Sequence, residues 1–385
     1  MSVPMLDLTR QYAVLRPEIL AAIERVCASA HYVGGEDVAA FESELAAFTG
    51  AAAAVGCASG TDALWLALVA AGVGPGDAVI TTSFSFYASA SAIVRAGATP
   101  VFSDIDPQTW NLDVPALLQE LRQKPISKLR AVLPVHLYGQ CADMDALDEL
   151  AKEFQVAVIE DAAQAIGAEW NGRKAGALGL AAAFSFYPTK NLSAYGDAGA
   201  VTTMDPGWAE HMRRLRNHGS PRRYVHEEFG ANSRLDSIQA AVLRVKMQHI
   251  GEWNDARRQR AEVYDRLLSK AGLVSNQENG SPLRLPWRDP RALHVFHHYV
   301  VGVQRRDALR VFLAERGVAT EVYYPIPLHL QSCFAYLGYR DGDLPEAEQA
   351  SREVLALPMF PELREDEQRY VVDCIAEYYT SVSSF

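Results

Sequence analysis

The sequence predicts an α/β protein with a large domain built on a mostly parallel sheet and a smaller C-terminal α+β domain. Short apolar stretches alternate with helix-like segments from residue 63 to residue 186, which is typical of a parallel sheet covered by helices. From about residue 237 the pattern becomes long and helical, as expected for a connector between two domains. We therefore expect the large domain over residues 1–250 and the small domain over residues 251–385.

The elements follow from the spacing of apolar residues. Helical periodicity is found first over residues 20–49 and 63–71. Short apolar stretches predict buried strands at residues 78–80, 100–102, 131–135, 156–159 and 181–186. Helices are predicted between these strands at residues 89–96, 114–121 and 144–154. In the small domain we expect a strand over residues 297–303 and a helix over residues 307–316.

The composition excludes several classes of protein. With 36 basic and 47 acidic residues the chain has a net charge of −11, so we expect no non-specific binding to nucleic acid. The longest apolar run, residues 63–73, is shorter than the roughly 18 residues of a membrane span, so we expect no membrane insertion. The five cysteines form no C-x-x-C pair, which favours reduced thiols, a cytoplasmic location and no zinc site.

Polar residues directly after the buried strands are the candidates for chemistry, because ligands of open α/β sheets bind beyond the carboxyl ends of the strands. Asp161 follows the strand at residues 156–159, and Lys190 follows the strand at residues 181–186. Pyridoxal phosphate chemistry requires such a pair: the lysine forms the Schiff base, and the carboxylate pairs with the pyridinium nitrogen.

A phosphate cradle and a ring-stacking residue are also present. Ser59, Gly60 and Thr61 precede a helix and offer a hydroxyl, a close backbone approach and a helix N-terminus. Ser185 could add a second hydroxyl, and Phe86 could supply the aromatic face.

Each of these residues has a structural explanation when it is taken alone. A lysine in a loop, such as Lys190, is usually solvated. A serine before a helix, such as Ser59, is usually a helix cap, and a phenylalanine such as Phe86 is usually part of the hydrophobic core. Asp161 is less ambiguous, because burying a carboxylate without a partner is costly. Taken together, these residues favour a cofactor site more strongly than any one of them does alone.

Six segments together resemble one family, the DegT-type sugar aminotransferases. They are ASGTDAL at 58–64, VHLYGQ at 135–140, IEDAAQ at 159–164, FSFYPTKNL at 184–192, GANSRLDSIQAA at 230–241 and YYPIPLH at 323–329. The resemblance covers nearly the whole chain. It implies a fold type I aminotransferase that uses pyridoxal phosphate and works as a homodimer with composite active sites.

Carried over residue by residue, the resemblance assigns roles to the matching positions. It implies that Lys190 is the Schiff-base lysine and that Asp161 is the partner of the pyridinium nitrogen. The other implied cofactor contacts are Gln164 near the ring and its 3-hydroxyl, Phe86 stacked on the ring, Gly60, Thr61 and Ser185 at the phosphate, and Asn232 from the neighbouring subunit. Tyr187, Tyr324 and His329 match positions close to the substrate.

This sequence departs from the family pattern at a few positions. Thr82 stands where proline is common, Ser85 and Ser89 stand where threonine is common, and Ala198 stands where glycine is frequent. None of these changes removes a catalytic group.

The resemblance also implies a reaction. Relatives that remove a hydroxyl carry histidine at the position of Lys190, so transamination is favoured over dehydration. The expected amino donor is L-glutamate, with pyridoxamine phosphate as the intermediate form of the cofactor, and the expected acceptor is a nucleotide-linked keto sugar. Residues 342–348 and 355–361 most resemble the branch that aminates C3 of nucleotide-linked 3-keto hexoses, including thymidine-diphosphate 3-keto-6-deoxy sugars. Nucleotide-linked 4-keto sugars, cyclitol ketones and, in another class, a cofactor-binding sensor or regulator are the alternatives.

Two further groups of residues have open interpretations. The segments at residues 213–219 and 222–226 are the most basic part of the chain. They are either a solvated surface or a contact for the diphosphate of the sugar nucleotide, with Arg222 and Tyr224 as the candidates. His294, His297 and His298 lack the H-E-x-x-H form, so we expect no metal site there.

Overall fold

The structure is a computed structural model that describes residues 1–274 and 281–382. Its helices are α1 Leu8–Ser29, α2 Glu36–Thr49, α3 Gly60–Ala70, α4 Ala88–Arg95, α5 Val114–Gln123, α6 Met144–Phe154, α7 Pro206–Leu215, α8 Ser237–Met247, α9 Ile250–Lys270, α10 Arg306–Glu315, α11 Pro345–Glu353 and α12 Glu365–Val382. Its strands are β1 Ala53–Cys57, β2 Ala78–Thr82, β3 Thr99–Ser103, β4 Leu129–Leu133, β5 Ala157–Asp161, β6 Glu169–Trp170, β7 Arg173–Lys174, β8 Ala181–Ser185, β9 Gly199–Thr203, β10 Leu283–Arg284, β11 Ala292–Leu293, β12 Tyr299–Val303 and β13 Val354–Leu357.

A seven-stranded sheet in the order β1-β9-β8-β5-β4-β2-β3 forms the centre of the large domain. All neighbouring pairs from β8 to β3 are parallel, whereas β9 runs antiparallel to both β8 and β1. The carboxyl ends of β1, β5 and β8 therefore lie at one edge, together with the start of β9. This arrangement confirms the predicted α/β fold with a mostly parallel sheet.

The predicted strands are confirmed with small shifts in their ends, because continuous apolar runs are buried on both faces of a parallel sheet. β1 and β9 were not predicted. The continuous helical segment predicted for residues 20–49 is wrong, since the chain leaves the helix between α1 and α2. The break begins at Ala30, which has a left-handed backbone (φ 55°), and includes Gly34 and Gly35 at φ 73° and 94°. Helix cannot continue through such dihedral angles.

The C-terminal part of the chain has its own three-stranded sheet, in the order β10-β12-β13. Its buried core includes Tyr264, Tyr299 and Leu355. Residues before and after position 250 contact each other in both parts of the chain. Near the C-terminal sheet, Val3 N–H donates to Gly317 O, and in the large domain β11 pairs with β6. The division at residue 250 stays a prediction, and residues 275–280 and 383–385 of the predicted small domain lie outside the described residues.

The five cysteines are free thiols. Among residues 1–274 and 281–382, no helix combines the length and the apolar character that crossing a bilayer requires.

The edge of the sheet tolerates no side chain at Gly199, the first residue of β9. A Cβ placed there would lie 2.4 Å from the carbonyl carbon and oxygen of Ser59 and 2.7 Å from the amide nitrogen of Gly60. These are backbone atoms and cannot move aside cheaply. We expect Gly199→Ala to lower the free energy of unfolding by roughly 1–3 kcal/mol, as overpacking does elsewhere.

Urea unfolding of the cofactor-free protein measures this loss. Gly74→Ala is the matched control, because a Cβ at Gly74 has no atom within 4 Å. Equal unfolding midpoints for the two variants would show that the close approach at Gly199 is not a constraint.

Candidate active site

A cavity of about 600 Å³ opens at the carboxyl edge of the sheet, where β1, β5 and β8 end. Side chains predicted from separate parts of the sequence meet in it. The predicted site residues that line the cavity are Gly60, Thr61, Phe86, Asp161, Gln164, Ser185, Tyr187, Lys190 and Tyr324. The fold thus brings together every predicted cofactor contact except Asn232.

Asp161 is the last residue of β5 and is only 5% exposed. Ser89 Oγ donates to its Oδ2 at 2.7 Å, and the Ala163 amide donates to its Oδ1 at 3.2 Å. Burial raises the pKa of Asp161, while these two hydrogen bonds and the charge of Lys190 act in the opposite direction. The two hydrogen bonds therefore hold the carboxylate at a fixed angle and favour its ionised form, whereas burial disfavours it.

Glu160, the residue before Asp161, points to the other face of the sheet and was not predicted as part of the site. It is fully buried, and its carboxylate accepts amide hydrogen bonds from Gly176, Leu178 and Gly179 at 2.8–3.0 Å. His136 Nε2 lies 3.0 Å from the same carboxylate. His136 Nδ1 accepts a hydrogen bond from the Ala142 amide, so the ring proton is on Nε2. Nε2 therefore donates a hydrogen bond to the Glu160 carboxylate. These bonds fix the end of β5 and with it Asp161.

Lys190 follows β8 in a turn closed by its amide, which donates to Tyr187 O at 2.8 Å. Burial lowers the pKa of Lys190 to about 8, and the negative charge of Asp161 offsets part of this effect. A substantial fraction of the amine is therefore neutral near pH 7.5, which a nucleophilic lysine requires.

The N-terminus of α3 fits a phosphate group. Ser59 Oγ caps the helix by accepting from the Asp62 amide at 3.1 Å, while the first amides of a helix have no partner within it. A Cβ at Gly60 would lie 2.6 Å from Ser185 Cβ, so only glycine allows the Ser185 hydroxyl to approach these amides. Phosphate binds well to such a combination of amides, hydroxyl and helix dipole.

Gln164 is oriented by the backbone and by a tyrosine. Its Oε1 accepts from the Tyr138 amide at 2.6 Å, which leaves its Nε2 to donate to Tyr324 Oη at 3.2 Å. Burial raises the pKa of Tyr324 above its ordinary value. Phe86 lies 6.2 Å from the Tyr324 ring and is 57% exposed, so its ring has free surface against which another ring can stack.

Comparison with known proteins agrees with this geometry. Residues 14–376 match the model of the DegT/DnrJ/EryC1/StrS aminotransferase family. The chain belongs to this family. It is therefore an aminotransferase that uses pyridoxal phosphate, and the residues at the cavity fit that cofactor: a lysine, a buried carboxylate and a phosphate cradle.

Two curated relatives cover almost the whole chain. A pleiotropic regulatory protein of Geobacillus stearothermophilus is 51% identical over 379 residues, which is 98% of this chain and 99% of the relative. The dTDP-3-amino-3,4,6-trideoxy-α-D-glucose transaminase of Streptomyces venezuelae is 46% identical over 377 residues, which is 98% of this chain and 96% of the relative. Both relatives are thus similar along their full length.

Two solved structures have the same fold. The crystal structure of S. venezuelae DesV matches with a TM-score of 0.92 and 45% identity, and the match covers 98% of both chains. The structure of NtdA from Bacillus subtilis, which contains the cofactor pyridoxamine phosphate, matches with a TM-score of 0.88 and 29% identity. That match covers 98% of this chain and 85% of NtdA.

Four predicted site residues of this aminotransferase lie outside the cavity of their own chain. Asn232 is exposed near the end of the loop between α7 and α8, and Arg222 and Tyr224 are exposed in the same loop. His329 is buried and lies 3.2 Å from Glu348 Oε1. Their roles stay predictions.

His297 and His298 line the aminotransferase cavity, although the sequence interpretation gave them no role. His297 Nδ1 lies 3.1 Å from Asn191 Oδ1, and the His298 ring stacks on Tyr323 at 4.1 Å. Burial lowers the pKa of both imidazoles well below the ordinary value, and the charge of Lys190 lowers it further. Both rings are therefore neutral. Their position just before β12 was the only signal in the sequence.

The lowered pKa of Lys190 predicts a pH-dependent reactivity. Because only the neutral amine attacks an aldehyde, reductive methylation of Lys190 in the cofactor-free protein should rise through about pH 8. Asp161→Asn removes a charge that stabilises the ammonium form, so the midpoint should move to lower pH.

Peptide mass spectrometry across a pH series measures the labelling at each lysine. Surface lysines in the same digest are the internal control, because Asp161 is too distant to affect them. A Lys190 midpoint that is the same with and without Asp161→Asn would show that the two groups are not coupled.

Proposed function

We propose that this aminotransferase transfers the amino group of L-glutamate to a nucleotide-linked keto sugar, specifically a thymidine-diphosphate 3-keto-6-deoxyhexose. The observation that carries the proposal is the meeting of Lys190, Asp161 and the α3 phosphate cradle in one cavity. The S. venezuelae relative, whose name describes a dTDP-3-amino sugar transaminase, supports the choice of the acceptor. The family resemblance supports L-glutamate as the donor, in the biosynthesis of an amino sugar in the cytoplasm.

The proposed roles follow from the contacts. Bound pyridoxal phosphate supplies an electron sink for the carbon that carries the amino group. Lys190 would take the proton from that carbon of the amino donor and, in the second half-reaction, would give a proton to the acceptor carbon that receives the amine; its near-neutral pKa suits both transfers. Asp161 would hold the positive ring nitrogen by charge, and the amides of Gly60 and Thr61 would hold the phosphate together with Ser185.

The remaining contacts position the ring and the substrate. Gln164 would lie near the ring and its 3-hydroxyl, and Phe86 would pack on the ring face. Tyr187 is 51% exposed in the cavity wall, so its hydroxyl is available to the sugar. Because His329 is buried against Glu348, the geometry gives no support to its predicted substrate contact.

The diphosphate is assigned to the exposed loop between α7 and α8. Among the described residues, neither Arg222 nor Arg223 has a carboxylate within ion-pair distance, and the Arg223 guanidinium lies over the Tyr224 ring at 4.9 Å. Guanidinium groups without a carboxylate partner are suited to bind phosphate oxygens. The loop does not line the cavity of its own chain, so we propose that it serves the active site of a second copy.

Other amino acceptors and one other class of protein, a regulator, remain candidates. A nucleotide-linked 4-keto sugar or a cyclitol ketone would use the same cofactor contacts. The name of the G. stearothermophilus relative favours a cofactor-binding regulator as the second candidate function. The complete set of Lys190, Asp161 and Gln164 supports catalysis, because binding alone does not require a lysine amine of lowered pKa.

A two-stage absorbance titration tests the proposed function. L-glutamate is added to the cofactor-loaded protein, and the spectrum should change to that of the pyridoxamine phosphate form. Nucleotide 3-keto and 4-keto sugars and a cyclitol ketone are then added separately, and only the 3-keto sugar should restore the first spectrum. Lys190→Ala is the control and should show neither change.

Each other outcome overturns a specific part of the proposal. Recovery with the 4-keto sugar or the cyclitol ketone alone would replace the acceptor. A spectrum that L-glutamate does not change but another amino acid does would replace the donor. A bound cofactor that no amino donor changes would favour the regulator.

The composite site predicts complementation between two inactive variants. If Asn232 serves the partner's site, a hybrid dimer of Lys190→Ala and Asn232→Ala contains one site with both wild-type residues. Random mixing of the two variants should then restore about a quarter of the wild-type sites, since half of the dimers are hybrids. Transaminase activity after unfolding and refolding of the mixture measures this recovery.

Two controls make the result specific to Asn232. Each variant refolded alone sets the background, and a mixture of Lys190→Ala with Asp161→Ala should give no recovery, because both residues belong to one chain's cavity. Recovery in that control mixture, or none with Asn232→Ala, would contradict the assignment of Asn232 to the partner.

A further inference from the structure

Two serines connect Asp161 to the wall of the active-site cavity. Ser89, in the first turn of α4, is fully buried and donates to Asp161 Oδ2 at 2.7 Å. Ser85, which lines the cavity, has its Oγ 3.1 Å from Ser89 Oγ. Neither residue has a role in the function proposed above, and the sequence shows serine at both positions where threonine is common in the family.

The protons of this chain can be placed by counting donors. An ionised carboxylate only accepts hydrogen bonds, so Ser89 uses its single hydroxyl proton on Asp161. Ser85 must then be the donor in its bond with Ser89. Both hydroxyl protons therefore point toward Asp161, and each bond strengthens the next by polarising it.

We propose that Ser89 is a positioning residue that holds the Asp161 carboxylate ionised and correctly oriented for the pyridinium nitrogen, and that Ser85 supports it. The inference rests on the cofactor site described above. It assigns to α4 a part in cofactor binding, although neither serine is proposed to touch the ring.

The surroundings of Asp161 show why a neutral donor is needed there. Burial raises the pKa of Asp161, and the hydrogen bond from Ser89 is the strongest effect that lowers it, followed by the Ala163 amide, Lys190 and His136. Tyr324 also faces the carboxylate. The charge on Lys190 is lost when its amine becomes neutral, whereas the Ser89 hydroxyl donates throughout. Ser89 thus continues to favour the ionised form of Asp161 when Lys190 is neutral.

Ser83 provides a matched control within the same segment. It is fully buried like Ser89, but its Oγ has no hydrogen-bond partner among the described residues. Ser83→Ala and Ser89→Ala remove the same atom from equally buried sites, and only the second variant removes a bond to Asp161. Ser89→Thr keeps the hydroxyl, so it tests whether the hydroxyl alone restores cofactor binding.

The experiment measures the dissociation constant of pyridoxal phosphate from pH 5 to pH 9 for these variants and for Ser85→Ala, without any substrate. Ser89→Ala should weaken binding about ten-fold or more at pH 7, as expected for losing a hydrogen bond to a charged group. The pH below which binding weakens should rise by roughly one unit in this variant, because Asp161 then gains a proton more readily. This is the acid limb of the binding curve. Ser85→Ala should show a smaller change of the same sign. Ser89→Thr and Ser83→Ala should match the wild type.

Thermal unfolding of each cofactor-free variant shows whether it folds, and Ser89→Thr gives a second measurement if Ser89→Ala does not. Three outcomes would each overturn the inference. The acid limb of the binding curve could be unchanged in Ser89→Ala, or Ser89→Ala and Ser83→Ala could lose the same affinity for the cofactor. The third is a Ser89→Thr variant that binds the cofactor as weakly as Ser89→Ala. Failure of the proposed function is distinct, because it would appear as a wild-type protein whose bound cofactor no amino donor changes.

Discussion

The proposed cofactor site depends on keeping one buried carboxylate, that of Asp161, ionised at the edge of an apolar sheet. Burial alone favours the protonated acid, which cannot balance a positive ring nitrogen. The fold opposes this with an amide, a hydroxyl and the charge of Lys190, all supplied by segments that meet only where the strands end. The same desolvation lowers the pKa of Lys190 and favours its neutral amine, whereas its effect on Asp161 has to be opposed by the hydrogen bonds and the charge around that carboxylate.

A second constraint is the close approach of backbone segments around the phosphate cradle. The start of β9 packs against the carbonyl of Ser59, and Gly60 packs against the side chain of Ser185. Neither place has room for a Cβ. The cradle therefore depends on the assembled sheet, because β1, β8 and β9 each supply one wall of it. Stability of the sheet edge and affinity for the phosphate are in this way properties of the same contacts.

Much of the fold and of the site could be predicted from the sequence, because the strands of a parallel sheet are apolar runs and functional residues follow them directly. Asp161 and Lys190 were found by this rule. β1 and β9 were missed because their apolar runs are short: Gly56 lies within β1, and β9 starts at Gly199 and ends with Thr202 and Thr203. Ser89 and Glu160 were missed because their partners lie far away in the sequence. His297 and His298 reach the cavity only when the C-terminal part of the chain packs over the sheet edge.

The proposal of a composite site is supported by the physical character of the exposed loop between α7 and α8. Phe229 is fully exposed and Tyr224 is 81% exposed, although aromatic side chains lose free energy when they remain in water. Asn232 lies in the same loop, as do Arg222 and Arg223, which have no carboxylate partner among the described residues. Exposed aromatic residues beside such cations are typical of a surface that is covered by a partner. A second copy would bury the aromatic residues and bring the cations to an anionic substrate, so association and substrate binding would be favoured by the same loop.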